Sequence, residues 1–149
     1  MFIRWIFAAA HLLTFGLGLV AILSRSRALR ETTRPTDLKK VFAADNLWGL
    51  AALLWLGTGL ARVFGEMEKG SAYYGANWVF WLKMVLFGLI FVLEIWPMTT
   101  LIRWRIQTAR RQEPNLAPAQ TFANIGRIQA VLLVLIVLAA TAMARGYGM

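Results

Sequence analysis

Four runs of apolar residues, roughly 3–24, 42–62, 76–96 and 122–144, are separated by short stretches that hold most of the charge. Each is near the ~20 residues an α-helix needs to cross a hydrocarbon layer of about 30 Å. A helix closes its backbone hydrogen bonds within itself, which a lipid environment demands. The pattern predicts an all-α fold: an integral membrane four-helix bundle, with residues 1–149 forming one domain. The third helix should end or kink at Pro97, then continue as a surface helix through Arg103, Trp104 and Arg105. Segment 112–119, with Pro114 and Pro118, reads as a turn.

The polar stretches set the expected orientation. The first loop region carries Arg25, Arg27, Arg30, Arg34, Lys39 and Lys40 against Glu31 and Asp37. The third carries Arg103, Arg105, Arg110, Arg111 and Arg127 against Glu113, and the second only Arg62 and Lys69 against Glu66 and Glu68. The positive-inside rule places loops one and three in the cytoplasm. Loop two and both termini are then outside (periplasmic), as in a multi-pass protein of the bacterial inner membrane. Loop two, with Gly65, Gly70, Gly75 and the pair Tyr73-Tyr74, has an interfacial composition. Trp5, Trp78, Trp81, Trp96 and Trp104 fall near helix ends, as aromatic belts do. Ala8-Ala9-Ala10 comes too early for a signal-peptide cleavage site, so the first helix is read as retained.

Composition agrees with the pattern. Apolar residues make up 59% and charged residues 15% of the 149, and the mean hydropathy is +0.59. A soluble domain carries about 25% charged residues. The formal net charge of +9 would suit nucleic acid, but its carriers lie between apolar runs, where membrane topology and anionic lipid explain them better. No nucleic-acid partner is therefore expected; the lipid bilayer is. The chain has no cysteine, which removes disulfides, thiolate metal sites, iron–sulfur clusters and cysteine nucleophiles. Gly57-Thr58-Gly59 is not a nucleotide loop, since no strand precedes it and no phosphate-binding lysine follows.

Two ionisable residues stand inside apolar runs: His11, the chain's one histidine, and Lys83. Such residues are functional-site candidates because hydrocarbon makes them costly. Helices one and three enter from the same side, and both residues lie about 10–12 Å below that surface. His11 shares a helix face with Ala8, Thr14, Phe15 and Gly18, where small residues would let a flat macrocycle approach. Lys83 shares one with Val79, Phe80, Phe87, Ile90 and Glu94. Neutral imidazole suits haem iron, zinc or copper, so His11 and Lys83 are the candidate metal ligands. Alternatively, His11 hydrogen-bonds a neighbouring helix and Lys83 snorkels to the interface. A buried lysine can ligate as the free amine, or stay charged and pair with a carboxylate such as a haem propionate.

A second cluster is expected nearer the cytoplasm, where Asp45, Glu94, Arg127, Arg25, Arg27 and Arg30 reach one level. It reads as an interhelical ion-pair network, as a site for anionic head groups or substrate carboxylates, or as a proton path from Glu94 toward Lys83. Gly49, Ala52 and Gly59 share the Asp45 side of helix two, a small-residue packing face.

His11, Arg27, the run Phe80-Trp81-Leu82-Lys83 and Arg127-Ile128-Gln129 resemble the HemJ-type protoporphyrinogen oxidases. That resemblance implies b-type haem, with His11 as axial ligand and Lys83 as second ligand or as propionate and proton partner. It departs at Gln129-Ala130-Val131, where those proteins carry an Asn-Glu-x-Pro-like motif. A likeness over nearly the whole chain is to an uncharacterised family of four-helix bacterial membrane proteins. It rests on Ala44-Asp45-Asn46-Leu47-Trp48-Gly49, Thr58-Gly59 with Arg62, Tyr73-Tyr74 and Phe80-Trp81-Leu82-Lys83. The expectation is a haem b site holding His11, Lys83, Phe15, Gly18 and Arg27, with Lys83 and Glu94 as catalytic candidates. Its partner would be a quinone or a porphyrin-like substrate. The rival expectation is a scaffold or accessory subunit without a cofactor. Self-association fits either, because so small a bundle buries little surface alone.

Overall fold

The computed structural model describes residues 2–64 and 75–148. Four helices follow one another: α1 (Phe2–Glu31), α2 (Leu38–Phe64), α3 (Trp78–Ala109) and α4 (Ala119–Ala144). Each is long and apolar enough to cross a membrane. The loop-two features Gly65, Glu66, Glu68, Lys69, Gly70, Tyr73 and Tyr74 lie outside the described residues.

The helices run further than the apolar pattern alone predicts, because local polar groups and not the hydrocarbon boundary end them. α1 continues through an exposed Arg27–Glu31 pair of 2.9 Å to Glu31. The carboxylate of Asp37 then accepts from the backbone N–H of Thr33 at 3.0 Å and of Arg34 at 2.9 Å. A single turn at Pro35–Asp37 leads directly into α2. Asn77, fully buried, caps α3: its Oδ1 accepts from Val79 N and Phe80 N. Its Nδ2 donates to the carbonyl of Tyr147 at 3.2 Å, so the turn after α4 is pinned to the start of α3.

α3 does not end at Pro97. The proline is buried inside a helix that runs on to Ala109. Nor is the continuation a surface helix on all sides. Leu101 and Trp104 are buried, and Trp104 packs against Phe122 with ring centroids 6.0 Å apart. The hydrophobic demand of these two residues keeps the last turns of α3 in the bundle, while Arg103 and Ile106 face outward.

α1 is central: it packs along α2 and along α4, and α3 packs along α4. The α1–α4 contact is close at Gly126, where an added Cβ would overlap Ser26 Oγ. Gly18 faces Trp48 Cζ3 and Ala51 Cβ, at 3.7 and 3.8 Å from the position of an added Cβ. The core has two parts. Leu29, Leu38, Val41, Leu101, Trp104 and Phe122 fill the end beside the two basic loops. Ala21, Ile22, Trp48, Ile90, Leu133 and Ile136 fill the middle. Many large apolar side chains, such as Leu13, Leu53, Val92 and Leu138, point outward, as a lipid-facing surface requires.

Candidate functional sites

Between the two parts of the core lies a four-helix network built on Arg25. The α1 face that carries Gly18, Ala21, Ile22 and Leu29 into the interior carries Arg25 with it, at 0% exposure. Its guanidinium forks onto Glu94 of α3, with Nη1 to Oε1 at 2.6 Å and Nη2 to Oε2 at 2.7 Å. Nη1 also donates to Asp45 Oδ1 of α2 at 2.8 Å, and Nη2 to Gln129 Oε1 of α4 at 3.3 Å. Gln129 turns its amide N–H groups to Glu94 Oε2 at 2.9 Å and to the carbonyl of Ile90 at 3.2 Å. Arg105 closes the circuit on Asp45 Oδ2 at 2.9 Å and lies 4.6 Å from the centre of the Phe42 ring. Trp48 stands 5.7 Å from the Arg25 guanidinium carbon. Two guanidinium groups thus meet two carboxylates. Their charges cancel, and bidentate geometry offsets the cost of taking them from water. Arg25 Nε is buried without a hydrogen-bond partner among the described residues.

The sequence places Asp45, Glu94 and Arg25 at one level, and the structure joins them. It does not bring in Arg27, Arg30 or Arg127, whose side chains are exposed. They line a groove of about 390 Å³ between α1 and α4 with Leu23, Ser26 and Glu31. Gln129 and Arg105 belong to the network although charge counting missed them. The signal for Gln129 was an amide inside a predicted apolar run; Arg105, in a loop-like basic stretch, gave none.

The second site lies about 21 Å along α1, fourteen residues before Arg25. His11 is half-buried and faces α2. Its Nδ1 is 2.8 Å from Thr58 Oγ1. The Thr58 hydroxyl in turn lies 2.7 Å from the carbonyl of Leu54 and 3.1 Å from that of Trp55. A hydroxyl has one proton, and these carbonyls take it. With that proton committed, Oγ1 is placed to accept from Nδ1 when that nitrogen carries the ring proton, which leaves the lone pair of a neutral ring on Nε2. The imidazole stacks on Trp55 at 5.6 Å and 17°, and Trp55 meets Phe87 of α3 at 5.4 Å. Gly59 admits the ring: a Cβ there would stand 3.3 Å from His11 Cε1. Thr58, which gave no nucleotide-loop signal in Gly57-Thr58-Gly59, is the residue that meets the ring at Nδ1.

The face shared by His11, Phe15 and Gly18 is thus turned largely toward α2, and the space beside Gly18 holds Trp48. Lys83 is half-buried one turn from Phe87, with Nζ 5.8 Å from the Phe80 ring centre. α1 and α3 approach the His11 level through α2, with Trp55 standing between His11 and Phe87. Among the described residues no three His, Cys, Asp or Glu side chains gather to hold a metal ion. A single imidazole can still serve a metal whose other ligands come with a macrocycle.

These features define a small multi-pass membrane protein, a four-helix bundle with an ion-pair network at one end and a histidine hydrogen-bonded to a threonine toward the other. The chain belongs to the DUF2214 family, described as a predicted membrane protein, whose family model matches residues 3–148. No curated protein and no solved structure matches it.

Proposed function

We propose that the protein is a membrane redox protein that holds b-type haem through His11, exchanging electrons with a quinone or oxidising a porphyrin-like substrate. The observation that supports this reading is the Thr58 hydrogen bond. Metal-bound histidines commonly donate the other ring N–H to a fixed acceptor, which orients the ring and raises its basicity. Thr58 plays that part toward Nδ1, so Nε2 is the ligating atom. Trp55 and Phe87 give the ring an apolar, water-poor surround. Lys83 serves as second ligand in its amine form, or as charge partner to a propionate. When bound, haem supplies a one-electron couple whose potential depends on ligation, burial and nearby charge. The basic loops, by the positive-inside rule, face the cytoplasm of a bacterial inner membrane, which puts His11 toward the outer face.

The test is the absorption spectrum of the detergent-solubilised protein, supplied with haem, oxidised and reduced. The expected result is a Soret band in the wild type, its loss in His11→Ala and a shifted or weaker band in Lys83→Ala. A colourless wild type overturns the reading.

A colourless protein would leave a second reading, a scaffold or accessory subunit. The Arg25 network favours that one. Glu94 is held there by Arg25 and Gln129 together, the arrangement of a group that fixes helices against one another.

A further inference from the structure

The first-loop arginines divide into two sets with different work. Arg25 turns inward and its Nη groups are consumed by Asp45, Glu94 and Gln129. Arg27 and Arg30 turn outward, and Arg127 on α4 meets them across the groove. Arg27 spends its Nε on Glu31. Arg30 and Arg127 make no hydrogen bond or ion pair with another described residue.

We propose that this groove binds the phosphodiester head group of an anionic phospholipid. Its two ends have opposite character. At the loop end stand three guanidinium groups against one carboxylate, Glu31. One turn deeper on the same faces, Leu23 lines the groove, and Val20 and Val131 are exposed. Arginines above and an apolar wall below match a molecule with a phosphate and an acyl chain. A free phosphate would leave the apolar wall unused. The floor is rigid, because α1 and α4 touch at Ser26 and Gly126, so the arginines of the two helices are held at a fixed span. Ser26 Oγ donates to the Ile22 carbonyl at 2.8 Å and leaves recognition to the guanidinium groups. Arginine suits this task through its planar fork of donors, which pairs with two phosphate oxygens at once.

The test measures lipid retention by native mass spectrometry after purification from mixed anionic and zwitterionic lipid. Wild type should keep the anionic lipid preferentially. Arg30→Gln/Arg127→Gln should reduce that preference about 25-fold, roughly fivefold for each guanidinium. Arg110→Gln/Arg111→Gln removes the same charge from exposed positions outside the groove and should cost far less. Arg30→Lys/Arg127→Lys keeps the charge without the fork and should still lose most of the preference. Equal losses in the two Gln pairs, or full retention in the Lys pair, would reduce the effect to diffuse attraction and overturn the site. Displacement of the lipid by excess inorganic phosphate would also overturn it, by assigning the groove to a soluble anion; no displacement is expected.

Discussion

The Arg25 end and the His11 end of the bundle place polar groups at depth by opposite means. At the Arg25 end, four helices each contribute to one circuit, and two positive and two negative groups cancel. At the His11 end, one imidazole ring is tied to α2 by a hydrogen bond to Thr58 and a stack on Trp55. The first arrangement resists change, since Arg25, Asp45, Glu94 and Gln129 each lean on at least two others. The second is held more lightly, since a neutral hydrogen bond contributes about 1 kcal/mol. Polarity at depth is therefore not by itself a sign of chemistry. A multiply bonded, charge-balanced network reads as architecture, and a single ring bonded to one hydroxyl is where the proposed site lies.

The sharpest way to break that contrast is Arg25→Gln. It leaves Glu94 without its forked partner, while Asp45 keeps Arg105. Removing one member of a buried pair costs about 3–5 kcal/mol. The variant should lose that much stability in thermal or denaturant unfolding in detergent. The double change Arg25→Met/Glu94→Met removes both charges and should recover a large part of the loss. If Arg25→Gln melts like the wild type, the network does not hold the helices. His11→Ala, which loses the Thr58 hydrogen bond and the Trp55 stack, should cost less, about 2 kcal/mol, while removing any haem spectrum.

Gly126→Ala comes next in size. The added methyl would overlap Ser26 Oγ, which is held by the Ile22 carbonyl in a buried α1–α4 contact. Overpacking of this kind costs about 1–3 kcal/mol. Ser26→Ala removes the obstructing oxygen, so the pair Gly126→Ala/Ser26→Ala should be more stable than Gly126→Ala alone. Failure of that rescue would mean that the backbones themselves, and not the hydroxyl, set the α1–α4 distance. The same variant also tests whether the groove above Ser26 depends on this contact, through the lipid it retains.

The ease of reading these features from sequence followed the length of the signal. Four spans were legible because about twenty apolar residues in a row have few other uses. The level shared by Arg25, Asp45 and Glu94 was legible from counting along helices. Which arginine turned inward was not, because Arg25 and Arg27 are two residues apart and differ only by rotation about the helix axis. A helix continuing past Pro97 was legible, but its burial against the bundle was not, for a related reason. A proline removes one backbone donor, but the burial of Leu101 and Trp104 outweighs that loss. For His11, depth could be counted along the helix but direction could not. The ring faces α2 because Gly59 leaves room and Thr58 offers an acceptor, and neither residue is conspicuous until the helices are side by side.

The smallest expected effect is at Thr58, and it separates orientation from ligation. Thr58→Val keeps the shape and removes the acceptor of His11 Nδ1–H. Stability should fall by about 1 kcal/mol, the worth of one neutral hydrogen bond. The larger consequence is electronic. Without Oγ1 the ring is no longer held as the Nδ1–H tautomer, so both tautomers become populated. Nitrogen NMR of ¹⁵N-histidine-labelled protein in detergent, with its single imidazole, should show a pure Nδ1–H ring in the wild type and a mixture in Thr58→Val. Thr58→Ser restores the hydroxyl and should restore the single tautomer. With haem supplied, Thr58→Val should broaden or weaken the Soret band that Thr58→Ser preserves. If Thr58→Val leaves the tautomer pure, some other group orients the ring. The contrast between a fixed circuit and a lightly held ring would then have to be drawn without Thr58.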